Sequence, residues 1–258
     1  MKTFVISLKE ARERQDNIQT MMDGLGLPFE FFEAVDGREF DVAQHEAHNT
    51  TLRRLFFGRD MKGGEIGILL SHRSIYEKMI EEKIDIALVL EDDVRLHEDA
   101  PEVLKVLENG PRDFELIRFL GSKKVMGSTQ KTKRNVLGEY NLNRLLTSPG
   151  GAHAYVVTLS GAKKLYKASA RNHLPIDTLM GHSWRTGVEN LIIKPGLSYQ
   201  DAEMPQYIGE ARFNKSDLAG GWTRALFPVT RAWFKFSESI MKRLYYFMRN
   251  LKDQNGPV

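Results

Sequence analysis

The 258-residue sequence has no cysteine. That one absence excludes thiolate zinc sites, cysteine nucleophiles and disulfide frameworks. It also has no apolar run near the ~18 residues that a membrane-crossing helix needs, no internal repeat and no low-complexity tract. The apolar stretch Phe4-Val5-Ile6 near the N-terminus is too short for a signal peptide and meets charged residues at once, so a cytoplasmic location is expected. There is no large excess of either charge: 37 Lys and Arg stand against 34 Asp and Glu, net +3. A chain of this size that bound nucleic acid would be basic throughout or along a stripe, so no nucleic-acid partner is expected. What is present, 41% hydrophobic and 28% charged residues, is ordinary for a soluble protein with one large domain or two small ones. The length is ample for a core that needs no covalent staple.

Apolar runs and stop signals divide the chain into alternating strands and helices. Residues 2–8 read as a buried strand, 11–22 as a helix closed by Gly24 and Gly26, and 29–35 as a strand ending in the turn pair Asp36-Gly37. Residues 40–61 show little periodicity and read as an irregular excursion. Gly63-Gly64 opens a helix over about 65–82. Ile86-Ala87-Leu88-Val89-Leu90 is a continuous apolar strand of the kind buried on both faces. A helix over 100–108 and a strand over 114–120 follow. The polar, basic, glycine-containing stretch 121–143 reads as a long mobile loop, a candidate lid attractive to phosphate. Beyond it come a strand over 152–159, a helix from Ser160 to about Ala170, a short helix opening at Pro175, and short strands over 191–193 and 197–200. This order predicts an α/β fold with a mostly parallel central sheet.

The chemistry concentrates where the apolar strand ends in Glu91-Asp92-Asp93. Ligands of open α/β sheets bind beyond the carboxyl ends of strands. Three successive carboxylates there repel one another unless a cation or hydrogen-bond donors offset them. Hard divalent ions combine carboxylate oxygens with substrate phosphate oxygens, so a metal–diphosphate site is expected, against the plainer alternative of a solvated acidic turn. Arg12 and Arg14, at the start of the first helix, either meet an anion or form a solvated face.

Several segments together resemble glycosyltransferase family 25, the lipooligosaccharide-type galactosyl- and glucosyltransferases. They are Val5-Ile6-Ser7-Leu8 with Arg12 and Arg14, residues 31–37, Gly64 to Gly67 with Leu70-Ser71-His72, residues 87–94, residues 151–157 with 160–165, and Pro175-Ile176-Asp177. Their order spans residues 2 to about 217. The resemblance implies a GT-A-like fold over 1–217, a UDP-sugar donor, a saccharide or lipid-linked saccharide acceptor, and a divalent metal, Mn2+ or Mg2+. It points to Ser7, Leu8 and Arg14, to Ala34, Val35 and Asp36, and to Ser71 and His72 as donor-binding residues. In the acidic triplet it assigns the metal to Asp93 and the donor to Glu91 and Asp92. His153 and Gln200 become acceptor-side or supporting residues. Asp177 is either a helix N-cap or the base that takes the acceptor hydroxyl proton in an inverting hexose transfer, most simply of galactose. Two alternatives share parts of this pattern: a metal-dependent nucleotidyltransferase, and a non-catalytic saccharide- or nucleotide-binding module.

The segment 218–258 stands apart. From Ser216 onward seven bases face three acids, +4, which leaves −1 for the rest of the chain. Trp233, Phe236, Ile240, Leu244, Phe247 and Leu251 recur at helical spacing on one face. The segment is expected to be an amphipathic helix that either packs on the domain or docks on an anionic membrane, with the excess charge favouring the membrane and a peripheral place on its inner face.

Overall fold

The apolar runs 4–6 and 86–90 become neighbouring parallel strands in which Phe4 lies beside Val89 and Val5 beside Leu90. The structure, a computed structural model, describes residues 1–200 and 219–254, with the side chains of Gln200 and Gln254 outside that description. In chain order the elements are β1 (Lys2–Ser7), α1 (Arg12–Gly24), β2 (Glu30–Glu33), α2 (Thr50–Phe57), α3 (Gly63–Glu81), β3 (Ile86–Glu91) and β4 (Val94–Leu96). Then come α4 (Ala100–Asn109), β5 (Leu116–Arg118), α5 (Lys123–Met126), β6 (Gln130–Leu137), β7 (Tyr140–Leu145) and β8 (Ala154–Thr158). The last are α6 (Leu159–Ala168), α7 (Ile176–Gly181), α8 (Ser183–Thr186), β9 (Asn190–Lys194), β10 (Ser198–Gln200) and α9 (Trp222–Gln254).

Eight strands form one sheet in the order β2-β1-β3-β8-β5-β9-β7-β6, and β4 pairs with β10 in a small ribbon. β1–β2, β1–β3 and β5–β9 pair parallel, while β8 and β7 run against both of their neighbours. Six of the eight strands therefore point the same way, and the mostly parallel expectation holds with two reversed strands. Alternate side chains feed two cores. Val5, Leu88 and Val156 pack with Ile18 and Met22 of α1 and Val103 and Leu107 of α4. Phe4, Val89 and Val157 pack with Leu69 and Met79 of α3, Leu165 of α6 and Leu179 of α7. Helices on both faces bury residues 86–90 of β3 at every position, which is why that strand reads as an unbroken apolar run.

Two expected loops are ordered elements. Within 40–61, Asn49 caps α2 by accepting from Leu52 N at 3.2 Å, and Gly58 ends the helix with φ +75°. The stretch 121–143 is not a long loop: it holds α5 and most of a β6–β7 hairpin that turns at Gly138 (φ +51°) and joins the sheet through β9. Two of its basic residues reach back to the domain. Lys133 Nζ lies 3.1 Å from Glu189, and Arg134 Nε lies 3.0 Å from Asp113. β6 is the outermost strand, where long basic side chains discourage edge pairing and mask the alternation that marks a strand.

α9 packs chiefly on α2 and α8. Phe234 stacks on Phe56 with ring centroids 4.9 Å apart, and Arg231 donates to the Phe56 carbonyl at 2.9 Å. The expected boundary at 217/218 lies outside the described residues. Among the described residues, no helix is long and apolar enough to cross a membrane.

Candidate active site

Because six strands share one direction, the carboxyl ends of β1, β2, β3 and β5 lie at one edge of the sheet, and reversed β8 begins there. A cavity of about 610 Å³ opens at that edge. Ser7, Leu8 and Arg14 line it, as do Ala34 to Asp36, Ser71, Glu91 to Asp93, His153 and Asp177. Of the expected site residues, His72 is not in its wall, the anion candidate Arg12 is exposed outside it, and the side chain of Gln200 is outside the description. Gln200 pairs through its backbone with Val94, next to the acidic triplet. Asp201, which follows it, lies outside the described residues.

The three acids take three different surroundings. Asp92 is buried and turns back into the protein, where its two oxygens accept from Ser7 Oγ and from Arg14 Nη1, each at 2.7 Å. Those bonds tie β3 to β1 and α1. Glu91 lies 3.4 Å from Nε2 of fully buried His72, whose Nδ1 is 2.8 Å from Tyr155 Oη; Tyr155 Oη in turn is 3.0 Å from Tyr76 Oη. His72 Nε2, buried without a hydrogen-bond partner, thus faces Glu91. Burial pushes both tyrosine hydroxyls well above their ordinary pKa, so both stay protonated.

Asp93 has no such support. Its Oδ1 is buried without a hydrogen-bond partner. Burial first, and then the charge of Glu91, push its pKa up from 3.8 to about 6. A carboxylate oxygen aligned with a second acid and left without a donor suits a cation. No three His, Cys, Asp or Glu side chains converge into a cage among the described residues. An ion held by Asp93 would therefore take its remaining ligands from substrate and water, as Mg2+ commonly does.

The wall from β2 to α3 is set by bare backbone. A Cβ on Gly37 would lie 2.0 Å from the Gly63 carbonyl oxygen, and one on Gly67 would lie 2.5 Å from the Val35 carbonyl oxygen. Ser71 Oγ accepts from Val35 N and donates to the Gly67 carbonyl, both at 2.8 Å. The pairs Asp36-Gly37 and Gly63-Gly64 are thus a close backbone approach as well as turn signals. At the rim, Arg38 holds the Asp36 carboxylate and lowers its pKa. Gly37→Ala should cost about 2 kcal/mol in chemical denaturation, the usual scale of overpacking. Unchanged stability of that variant would show that the segments can separate freely.

On the remaining side, burial lowers the pKa of His153, and its Nε2 is buried without a partner. The N-cap of α7 is Pro175, so Asp177 sits in the first turn and is not the cap. Its Oδ1 accepts from Thr178 N at 2.6 Å, and its Oδ2 faces Gly151 N at 3.4 Å. Arg118, missed in the sequence reading, is fully buried behind them. It donates from Nη1 to the carbonyls of Pro149 (2.9 Å), Gly151 (3.0 Å) and Asp177 (3.4 Å). Burial pulls its pKa down to about 10, against the attraction of Asp177, so it remains charged at neutral pH. An arginine inside the run Leu116-Ile117-Arg118-Phe119-Leu120 was the available signal.

A strand-end carboxylate triplet, a cavity of about 610 Å³ beside it and a further carboxylate on its wall suit a group-transfer site. The chain belongs to glycosyltransferase family 25: the profile of Glycosyltransferase family 25 (LPS biosynthesis protein) matches residues 1–180. Procollagen galactosyltransferase 2 of Homo sapiens is 30% identical over 187 residues, covering 69% of this chain and 29% of that protein. A glycosyltransferase 25 family member of Anopheles gambiae is 33% identical over 187 residues, covering 67% and 30%. The chain therefore spans about three tenths of the length of these relatives. Among solved structures, the similarity to A197 from STIV has a TM-score of 0.40 at 12% identity, over 78% of this chain and 86% of that one. A likeness that distant does not assign the fold.

Proposed function

We propose that this chain is a metal-dependent transferase of the GT-A type that moves a hexose from a UDP-sugar to a saccharide acceptor with inversion. The observation that carries the reading is the buried, unpartnered Oδ1 of Asp93 at the end of β3, in the wall of a cavity that Asp177 also lines. Galactose is the first sugar to test, because the relatives named above include a procollagen galactosyltransferase.

Asp93, with Glu91 beside it, would hold Mn2+ or Mg2+. Such an ion neutralises the charge that develops on a departing diphosphate. The rest is the work of this chain. Ser7 and Arg14 hold Asp92 and so the turn that carries Asp93. The Ala34–Asp36 wall, pinned by Ser71, supplies backbone groups for the nucleoside. Asp177 Oδ2 takes the acceptor hydroxyl proton as the new glycosidic C–O bond forms and the bond to the diphosphate breaks, a single displacement with inversion. Arg118 fixes the Pro149–Gly151 and Asp177 backbones around that oxygen.

A panel of UDP-hexoses with a saccharide acceptor, assayed with Mn2+ and with EDTA, tests the reading. The expected products are UDP and a glycoside, with no turnover in EDTA. Release of pyrophosphate would mark a nucleotidyltransferase instead, and full activity in EDTA would remove the metal from the scheme.

A further inference from the structure

The amphipathic periodicity of α9 is real, but its apolar side is not the side that packs. Thirteen large hydrophobic residues are exposed among the described residues, and eleven of them belong to α9. Trp233 is 64% exposed, Phe236 60%, Phe247 59% and Leu251 59%, with Ile240 and Leu244 in line between them. The helix meets the domain through other positions: Thr223, Tyr246 and Asn250 are buried, and Phe234 lies against Phe56 and Phe57. The stripe turns away from the domain along most of the helix.

Charge is sorted in a related way. α9 carries seven Lys and Arg and only two acids, Glu238 and Asp253. Both acids are bound to the domain, Glu238 to His182 at 3.2 Å and Asp253 to Arg144 at 2.8 Å. Arg224, Lys235, Arg243 and Lys252 stay exposed. The solvent side of α9 is thus apolar and positive.

We propose that α9 docks this protein on a bilayer containing anionic phospholipid, with the stripe immersed in the interface. Trp and Phe beside Leu and Ile, with bases around them, are what an interfacial helix presents, and such helices sink about 5–10 Å into the headgroup boundary. A second copy of the chain fits less well. A helix–helix seam favours Leu, Ile and Val with opposite charges on its flanks. Here the seam holds Trp and Phe, and the exposed bases of the helix, Arg243 beside Ile240 and Phe247 among them, would meet like charge on a second copy. The surface is separate from the cavity residues, so the proposal stands or falls independently of the transfer reaction.

The test is co-sedimentation of the full chain with phosphatidylcholine vesicles, with and without phosphatidylglycerol, over a range of salt. Binding should require phosphatidylglycerol, weaken as salt rises, and shift the emission of Trp222 and Trp233 to the blue. Phe236→Ser/Phe247→Ser should bind roughly tenfold or more weakly, with UDP affinity and melting temperature unchanged because both side chains lie in solvent. Failure of the full chain to bind either vesicle, or equal binding by the double variant, would overturn the proposal. A dimer in sedimentation equilibrium that the double variant abolishes, with no vesicle binding, would assign the stripe to a contact between copies.

Discussion

Asp93→Asn should abolish sugar transfer and, in the same protein, raise the melting temperature of the metal-free form at neutral pH. The two effects share one cause. Oδ1 of Asp93 is buried with no donor, and Glu91 adds like charge, so ionising this carboxyl costs the folded state more than the unfolded chain. Its folded pKa is raised, from 3.8 to about 6. At low pH both states bind the proton and the wild type loses nothing. As pH climbs from about 4 to about 6 the unfolded chain ionises first, and the folded state loses stability until both are ionised. The full penalty, on the order of 3 kcal/mol for a lift of that size, applies above about pH 6. An amide does not titrate, so the stability gap between variant and wild type should open between pH 4 and 6 and stay open. Differential scanning calorimetry in EDTA measures it. Mn2+ should then stabilise the wild type and leave Asp93→Asn unmoved. Loss of several kcal/mol of charge stabilisation in the transition state corresponds to a fall in turnover of about 10³-fold. A variant that is inactive and also less stable at every pH would show that Asp93 holds the turn together and does not hold a cation.

The sheet and the site were legible wherever local pattern and burial agree. Residues 86–90 read as a strand covered on both faces, and the acids at its end lie at the carboxyl edge where the cavity opens. Local pattern is silent where a residue's partner lies far along the chain. β6 alternates poorly because it is an edge strand whose Lys133 and Arg134 reach back to Glu189 and Asp113. Asp92 looks equivalent to Asp93 in sequence, and only the distant Ser7 and Arg14 separate a tethered carboxylate from an unpartnered one. The stripe on α9 shows the limit most plainly. Periodicity identifies an apolar face, but whether that face meets the domain or the solvent depends on Phe56, His182 and Arg144, which periodicity does not see.

Asp177→Asn should lower turnover by about 10²–10⁴-fold, the usual contribution of a general base, while UDP affinity and stability stay close to those of the wild type. The structure separates this from a capping role. Pro175 occupies the N-cap of α7, so the substitution removes no cap. Oδ1 accepts from Thr178 N at 2.6 Å, a bond that the carbonyl oxygen of an asparagine can keep. Oδ2 has only Gly151 N at 3.4 Å, a separation at which the oxygen remains available to an incoming hydroxyl proton. The amide nitrogen that replaces it cannot accept that proton, and it brings an N–H toward the Gly151 N–H. The expected loss is therefore in the chemical step, with donor binding untouched, since binding of the nucleotide sugar needs no proton acceptor. Single-turnover transfer measured beside UDP titration separates the two quantities. Gly150 constrains the same oxygen, because a Cβ there would come within 2.7 Å of Oδ2. Gly150→Ala should displace the carboxylate without removing it, giving a partial loss of rate, again with UDP affinity retained. If Asp177→Asn instead lost stability and kept its rate, the carboxylate would belong to the start of α7, and the base would have to be sought elsewhere on the cavity wall, with His153 the next side chain to replace.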